Sequence, residues 1–157
     1  MNHPLPAIPY TTVTLVHLGF NRKVLKQEGF GYLIPSKEQS QILGMVWDSS
    51  AFPEQNSHPE ETRLTLMIQG HPSKPELDTL TQQALNQHLQ CDQSPTVISI
   101  TTAKSAIPQY LVGHQDTINQ LKRTASEKYP QLSLCGTAFN GVSINDCVAE
   151  TSRLYQI

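Results

Sequence analysis

The sequence predicts an α+β fold: an antiparallel sheet carrying helices, then a closing strand, turn and helix. Three observations predict it. Alternating, β-branched runs crowd the first half of the chain; two amphipathic helical patterns follow; and the last apolar run passes through two glycines into a helical segment.

Thr11 to Leu18 sets Val13, Leu15 and His17 against Thr12, Thr14 and Val16, the period of a strand. Phe30 to Ile34 and Gln41 to Trp47 flank Pro35-Ser-Lys-Glu-Gln, a polar turn whose proline cannot continue a ladder, so a hairpin is expected. Asp48 to Glu61 is polar, carries Pro53 and Pro59, and reads as a loop of about fourteen residues. Thr62 to Ile68 alternates again.

Ser73-Lys-Pro-Glu76 has the form of a capping box, with the Ser73 hydroxyl placed to accept from the third helical amide and Glu76 reaching back. The helix it opens carries Leu77, Leu80, Ala84, Leu85 and Leu89 on one stripe, to about Gln90. Thr96 to Thr101 is a further strand. Gly113 to Lys128 carries Ile118, Leu121 and Ala125 on one helical face before Pro130 stops it.

The last unit starts with an expected strand, Leu132 to Cys135, and continues as GTAFNGVSINDCVAE from Gly136 to Glu150. Gly136 and Gly141 permit a sharp turn or close approach of a ligand. From about Ser143, the residues Ile144, Cys147, Val148, Thr151 and Leu154 or Tyr155 share a stripe, and Ser143, Asn145 and Asp146 suit a helix start. The unpaired amides and positive dipole end of such a start favour an anion or the acceptor-rich edge of a ring. By residues alone the glycines serve equally as turn residues of an ordinary strand-to-helix connection. No lysine follows Gly141, so the segment is not a phosphate-binding P-loop.

Composition narrows the partners. Over 157 residues, 11 basic side chains stand against 13 acidic ones, which leaves no electrostatic footprint for nucleic acid. No apolar run approaches the ~20 residues that span a bilayer. The start, MNHPLPAIPY, has three prolines and no basic residue, unlike a secretory or transit signal. Cys91, Cys135 and Cys147 lack CxxC spacing and fit a reducing compartment, with Cys135 and Cys147 expected as small buried side chains. His3, His17, His58, His71, His88 and His114 show no metal-ligand spacing, so no metal site is expected.

Five blocks carry a resemblance: GFGYLIPSKEQ (29 to 39), ILGMVWDSSAFPEQN (42 to 56), TRLTLMIQG (62 to 70), IPQYLVGH (107 to 114) and GTAFNGVSINDCV (136 to 148). In this order they resemble the C-terminal part of the oxygen-dependent protoporphyrinogen oxidases, with FPEQ at Phe52 to Gln55 and NDC at Asn145 to Cys147 similar to the animal mitochondrial branch.

The resemblance implies a partial fold: residues 1–104 from a substrate-binding domain with return strands, and 105–157 closing a Rossmann-type FAD-binding domain. It implies FAD as cofactor, with Thr137, Val142, Ser143 and Ile144 at the flavin, and Phe30, Leu33 and Met67 against the tetrapyrrole. It further implies oxidation of protoporphyrinogen IX to protoporphyrin IX with oxygen in haem biosynthesis, peripheral association with the mitochondrial inner membrane, and a homodimer. No catalytic acid or base is assigned. The chain departs from the family in lacking GxGxxG and the first Rossmann unit, and looks like the last third of the enzyme. The expectation is that it neither holds FAD firmly nor turns over alone. The alternative is a non-catalytic tetrapyrrole-binding or interaction module derived from that enzyme.

Overall fold

The alternating runs build one antiparallel five-stranded sheet. The computed structural model describes residues 7–155, so the opening Met1 to Pro6 lies outside the described residues. The strands are β1 (Tyr10–Phe20), β2 (Gly31–Leu33), β3 (Ile42–Val46), β4 (Thr62–Gln69) and β5 (Val97–Pro108), in the spatial order β2-β3-β4-β1-β5. The expected hairpin is β2 against β3, antiparallel, with Leu33 opposite Gly44.

Alternation sorts each strand into two faces. On the first face Val16, Leu18 and Phe20 of β1, Ile42 and Met45 of β3 and Leu64, Leu66 and Ile68 of β4 are nearly inaccessible and form the core. Helix α2 (Lys74–Gln83) and the wider turn Ala84–His88 cover that face with Leu77, Ala84 and Leu85. Glu76 reaches back to the Ser73 amide at 2.8 Å. The Ser73 side chain accepts from the third helical amide, which completes the expected capping box, and its hydroxyl also donates to the Glu76 carboxylate at 2.6 Å.

The polar stretch after β3 is less irregular than its composition suggests. It holds a short helix, α1 (Asp48–Ala51), and a single tight turn, Pro53–Gln55. Arg63 ties that stretch to β4 by donating to Asn56 Oδ1 at 2.8 Å and to the Phe52 carbonyl at 3.2 Å.

The chain divides into two compact units: Thr12–Lys104, and Ser105 onward together with the described residues up to Thr11. The second unit contains α3 (His114–Lys128) and α4 (Ile144–Tyr155). The expected strand and the expected burial of two cysteines both fail there. Leu132 to Cys135 is not a strand: among the described residues it has no ladder partner, and the Leu132 amide instead closes a turn on the Tyr129 carbonyl at 2.8 Å. A strand exists only by pairing, and apolar composition alone cannot supply the second edge.

The stripe of α4 is also not core. Ile144 is 82% exposed, Val148 60% and Tyr155 68%, while the buried residue of the helix is Glu150. Cys135 is exposed and Cys147 only half-buried, against the expectation for both; Cys91 is the buried cysteine. No described element packs over the apolar side of α4, so burial follows the polar partners of Glu150 instead.

Candidate functional site

Two surfaces carry the residues singled out from sequence, one in each unit. The first is the second face of the sheet. Register places Leu33 opposite Gly44, Gly44 opposite Met67, and Met67 opposite Leu15, so these four form one row across four strands. Gly44 keeps that row shallow: a Cβ there would lie 2.3 Å from the Tyr32 carbonyl oxygen and 2.9 Å from Leu33 Cδ2. Leu33 is 78% exposed and Met67 half-buried, which gives an apolar strip accessible from one side. Phe30, 68% exposed, stands one residue before the strand and lines a separate recess of about 630 Å³ with Leu25, Ser50, Pro53 and Thr62. The structure thus joins Leu33 and Met67 in one row and sets Phe30 on a different hollow.

The next row on the same face is polar. His17 is opposite Thr65, with His17 Nδ1 3.1 Å from Thr65 Oγ1, and Thr65 donates to Asp48 Oδ2 at 2.7 Å. Sequence analysis assigned none of these three residues a role. The signal available to it was a histidine and a threonine at alternating positions of two strands, which becomes a pair only once the register is known.

The second surface is the loop from Gly136 to Ser143 with the start of α4. Gly136 and Gly141 have φ of +119° and +115°, conformations that favour glycine. A Cβ at Gly141 would come within 2.6 Å of the Asp146 carboxyl, so that glycine also makes room for the helix cap. Ser143 and Asp146 cap each other: the Asp146 amide donates to Ser143 Oγ at 3.0 Å, and the Ser143 hydroxyl and amide donate to Asp146 Oδ2 at 2.7 and 3.2 Å. These bonds from the Ser143 hydroxyl, and then from its amide, hold the Asp146 carboxyl below the usual aspartate range.

The rest of the loop is held by two residues that sequence analysis passed over. Tyr110 donates its hydroxyl to the Thr137 carbonyl and accepts from the Gly141 amide at 2.8 Å, with its ring stacked 3.9 Å from that of His114. Glu150 accepts from the Gly136 amide at 3.3 Å, from the Asn140 amide group and from Lys122 Nζ at 2.8 Å. Burial pushes the Glu150 carboxyl up, but the bonds from Lys122, Gly136 and Asn140 and the charge of Lys122 outweigh it and hold the group below its ordinary value.

Of the four flavin candidates, Thr137 therefore contributes its carbonyl to Tyr110, and Ser143 spends its amide and hydroxyl on Asp146. Val142, 49% exposed, and Ile144 remain open. Among the described residues the amides of Val142, Ile144 and Asn145 have no partner within the chain, so three donors stay available to an acceptor-rich group.

The described residues thus combine an antiparallel sheet whose second face carries an accessible apolar row with a glycine-bearing loop whose helix start has unpaired amides. The chain belongs to the flavin-containing amine oxidoreductase family, whose model matches residues 1–151. It is similar to the protoporphyrinogen oxidase of Homo sapiens, 32% identical over 155 residues that cover 92% of this chain and 32% of the relative. The protoporphyrinogen oxidase of Schizosaccharomyces pombe is 34% identical over 160 residues, with coverage of 92% and 32%. The coproporphyrinogen III oxidase of Staphylococcus aureus is 27% identical over 150 residues, with coverage of 89% and 32%. A crystal structure from Exiguobacterium sp. 255-15, provisionally named a protoporphyrinogen oxidase, shares the fold at a TM-score of 0.72 and 23% identity, covering 95% of this chain and 34% of that one. The chain spans about a third of the length of these relatives, 32% of the human one. FAD is the cofactor these similarities imply, and unpaired backbone amides at a helix start are donors of the kind its acceptor-rich edge needs.

Proposed function

We propose that this chain is the C-terminal part of an FAD-dependent oxidase that converts protoporphyrinogen IX to protoporphyrin IX with oxygen, in haem biosynthesis. The observation that carries the reading is the similarity to protoporphyrinogen oxidases over 92% of the chain, at 32% identity to the human protein. Within this reading, 105–157 closes a Rossmann-type flavin domain and 1–104 belongs to the substrate domain. Homodimerisation and peripheral attachment to the mitochondrial inner membrane belong to the same proposal, supported by the animal-type FPEQ and NDC blocks.

The chemistry divides between the two surfaces. When bound, FAD supplies the redox step as the acceptor of hydride equivalents. The amides of Val142, Ile144 and Asn145 would hold its acceptor-rich edge, and Tyr110 and Glu150 keep their loop in shape. Leu33 and Met67 offer a macrocycle an apolar face, the thioether adapting to its surface, and Phe30 offers a further apolar contact from its own recess. With one edge of the flavin site in this chain and no GxGxxG unit, FAD affinity depends on the remaining length of the family domain.

Titrating the 157-residue chain with protoporphyrin IX, followed by the porphyrin absorption band and Trp47 emission, tests the reading. Saturable binding weakened by Leu33→Ala and Met67→Ala is expected, with no flavin co-purifying. Absence of saturable binding would remove the tetrapyrrole surface. A stoichiometric flavin absorbance on the isolated chain would remove the claim that FAD needs the rest of the domain. Tetrapyrrole binding by a native product of this length, with no longer form in the cell, would favour the non-catalytic module.

A further inference from the structure

We infer that His17 is the hydrogen-bond acceptor that the sheet face offers to a pyrrole N–H of a reduced tetrapyrrole, held in that role by Thr65 and Asp48. The inference rests on the tetrapyrrole reading above and names the residue that distinguishes the reduced macrocycle.

The direction of the chain of bonds follows from proton count. The Thr65 hydroxyl has one proton and gives it to Asp48 Oδ2 at 2.7 Å. Toward His17 Nδ1, 3.1 Å away, the same oxygen can then only accept. The proton of the neutral imidazole therefore sits on Nδ1, and the lone pair is presented at Nε2. Among the described residues Nε2 has no partner.

The surroundings say what Nε2 receives. His17 lines an open recess of about 420 Å³ with Asp48, Glu61, Arg63, Thr65 and Val97. Gly19, which has no side chain to fill it, forms part of the recess between His17 and Val97. Two carboxylates stand there against one guanidinium; Arg63 pairs with Glu61 at 4.0 Å and is engaged by Asn56 and the Phe52 carbonyl, which leaves Asp48 without a cation among the described residues. A propionate entering would meet net negative charge; an N–H donor meets a lone pair.

Position agrees with chemistry. The His17–Thr65 pair is the row next to Leu15–Met67 on the same face. From Met67, His17 is one strand across, about 4.8 Å, and two residues along, about 6.6 Å, so it lies roughly 8 Å away, within reach of a macrocycle seated on Met67. In a porphyrinogen the four pyrrole N–H groups are free to turn outward to an acceptor, whereas in the planar porphyrin the remaining N–H groups point into the ring.

The test uses the 157-residue chain under anaerobic, reducing conditions, titrated in parallel with protoporphyrinogen IX and with protoporphyrin IX. His17→Phe is expected to weaken protoporphyrinogen binding about three- to tenfold, the range one neutral hydrogen bond sets, and to leave protoporphyrin binding unchanged. His17→Gln, whose amide oxygen replaces Nε2 as acceptor, is expected to recover most of the loss. Long-range ¹H–¹⁵N spectra should show Nδ1 protonated in the wild type and lose that preference in Thr65→Val. Equal loss for both ligands would mark His17 as merely structural and overturn the inference, as would no loss for either or the opposite tautomer in the wild type. Failure of the wild type to bind either ligand would overturn the tetrapyrrole reading and this inference with it.

Discussion

Glu150 Oε1 lies 2.8 Å from Lys122 Nζ, so the one buried residue of α4 is bonded to α3 as well as to the loop that carries Gly136 and Asn140. One carboxylate fixes both helices to the segment that holds the flavin candidates. Its bonds hold its pKa below the ordinary glutamate value of 4.5. A depressed carboxyl stabilises the folded unit fully above the unfolded pKa, and the contribution disappears as the pH falls through the folded pKa.

Glu150→Gln is therefore expected to flatten the loss of stability of this unit below about pH 4.5. Glu150→Ala should cost about 1–3 kcal/mol at neutral pH, because it leaves the donors of Lys122, Gly136 and Asn140 short of an acceptor. Chemical denaturation followed at several pH values checks both. An unchanged acid limb in Glu150→Gln would contradict the assignment.

Gly141→Ala and Gly136→Ala should separate backbone strain from crowding. Both positions have positive φ, but a Cβ at Gly141 meets Asp146 at 2.6 Å while one at Gly136 has nothing within 4 Å. Each change costs about 1–3 kcal/mol of strain, and Gly141→Ala is expected to cost more because Asp146 must also move. Thermal unfolding of the two variants side by side gives the order; the reverse order would refute the reading of Gly141 as the space for the cap.

Ser143→Ala removes the hydroxyl that does most to lower the Asp146 carboxyl. The Asp146 pKa is expected to rise toward the usual aspartate value. In the wild type the stabilisation from this cap is present above that value and fades as the pH falls through the depressed one. An NMR titration of the Asp146 carboxyl in both proteins measures the shift, and no change would mean the cap is not formed in solution.

The two faces of the sheet should respond oppositely to truncation. Leu66, 0% exposed in the core, is expected to cost about 2–5 kcal/mol as Leu66→Ala. Leu33→Ala, at a residue 78% exposed, should stay within about 0.5 kcal/mol of the wild type while weakening tetrapyrrole binding. Denaturation midpoints paired with porphyrin titrations distinguish the two. A large stability loss in Leu33→Ala would make that residue core rather than binding surface.

Local signals account for much of what the chain forms. Alternation in Thr11 to Leu18 and Thr62 to Ile68, the proline-headed turn between β2 and β3, the Glu76 contact at Ser73 and the stripe of α3 are each contained within a few residues. They survive because strand faces and helix starts are set by neighbours along the chain. Leu132 to Cys135 shows the limit, since its apolar run found no ladder.

By itself the sequence determined an α+β chain, its sheet faces, its helix starts and, through five ordered blocks, the family to which it is similar. Only the tertiary structure decided that Leu33 and Met67 share a row, that His17 points its Nδ1 at Thr65, and that Glu150 rather than the apolar stripe of α4 is buried. The physical reason is sequence separation. Register, and bonds between residues 48 and 28 positions apart as in His17–Thr65 and Lys122–Glu150, depend on how remote segments pair.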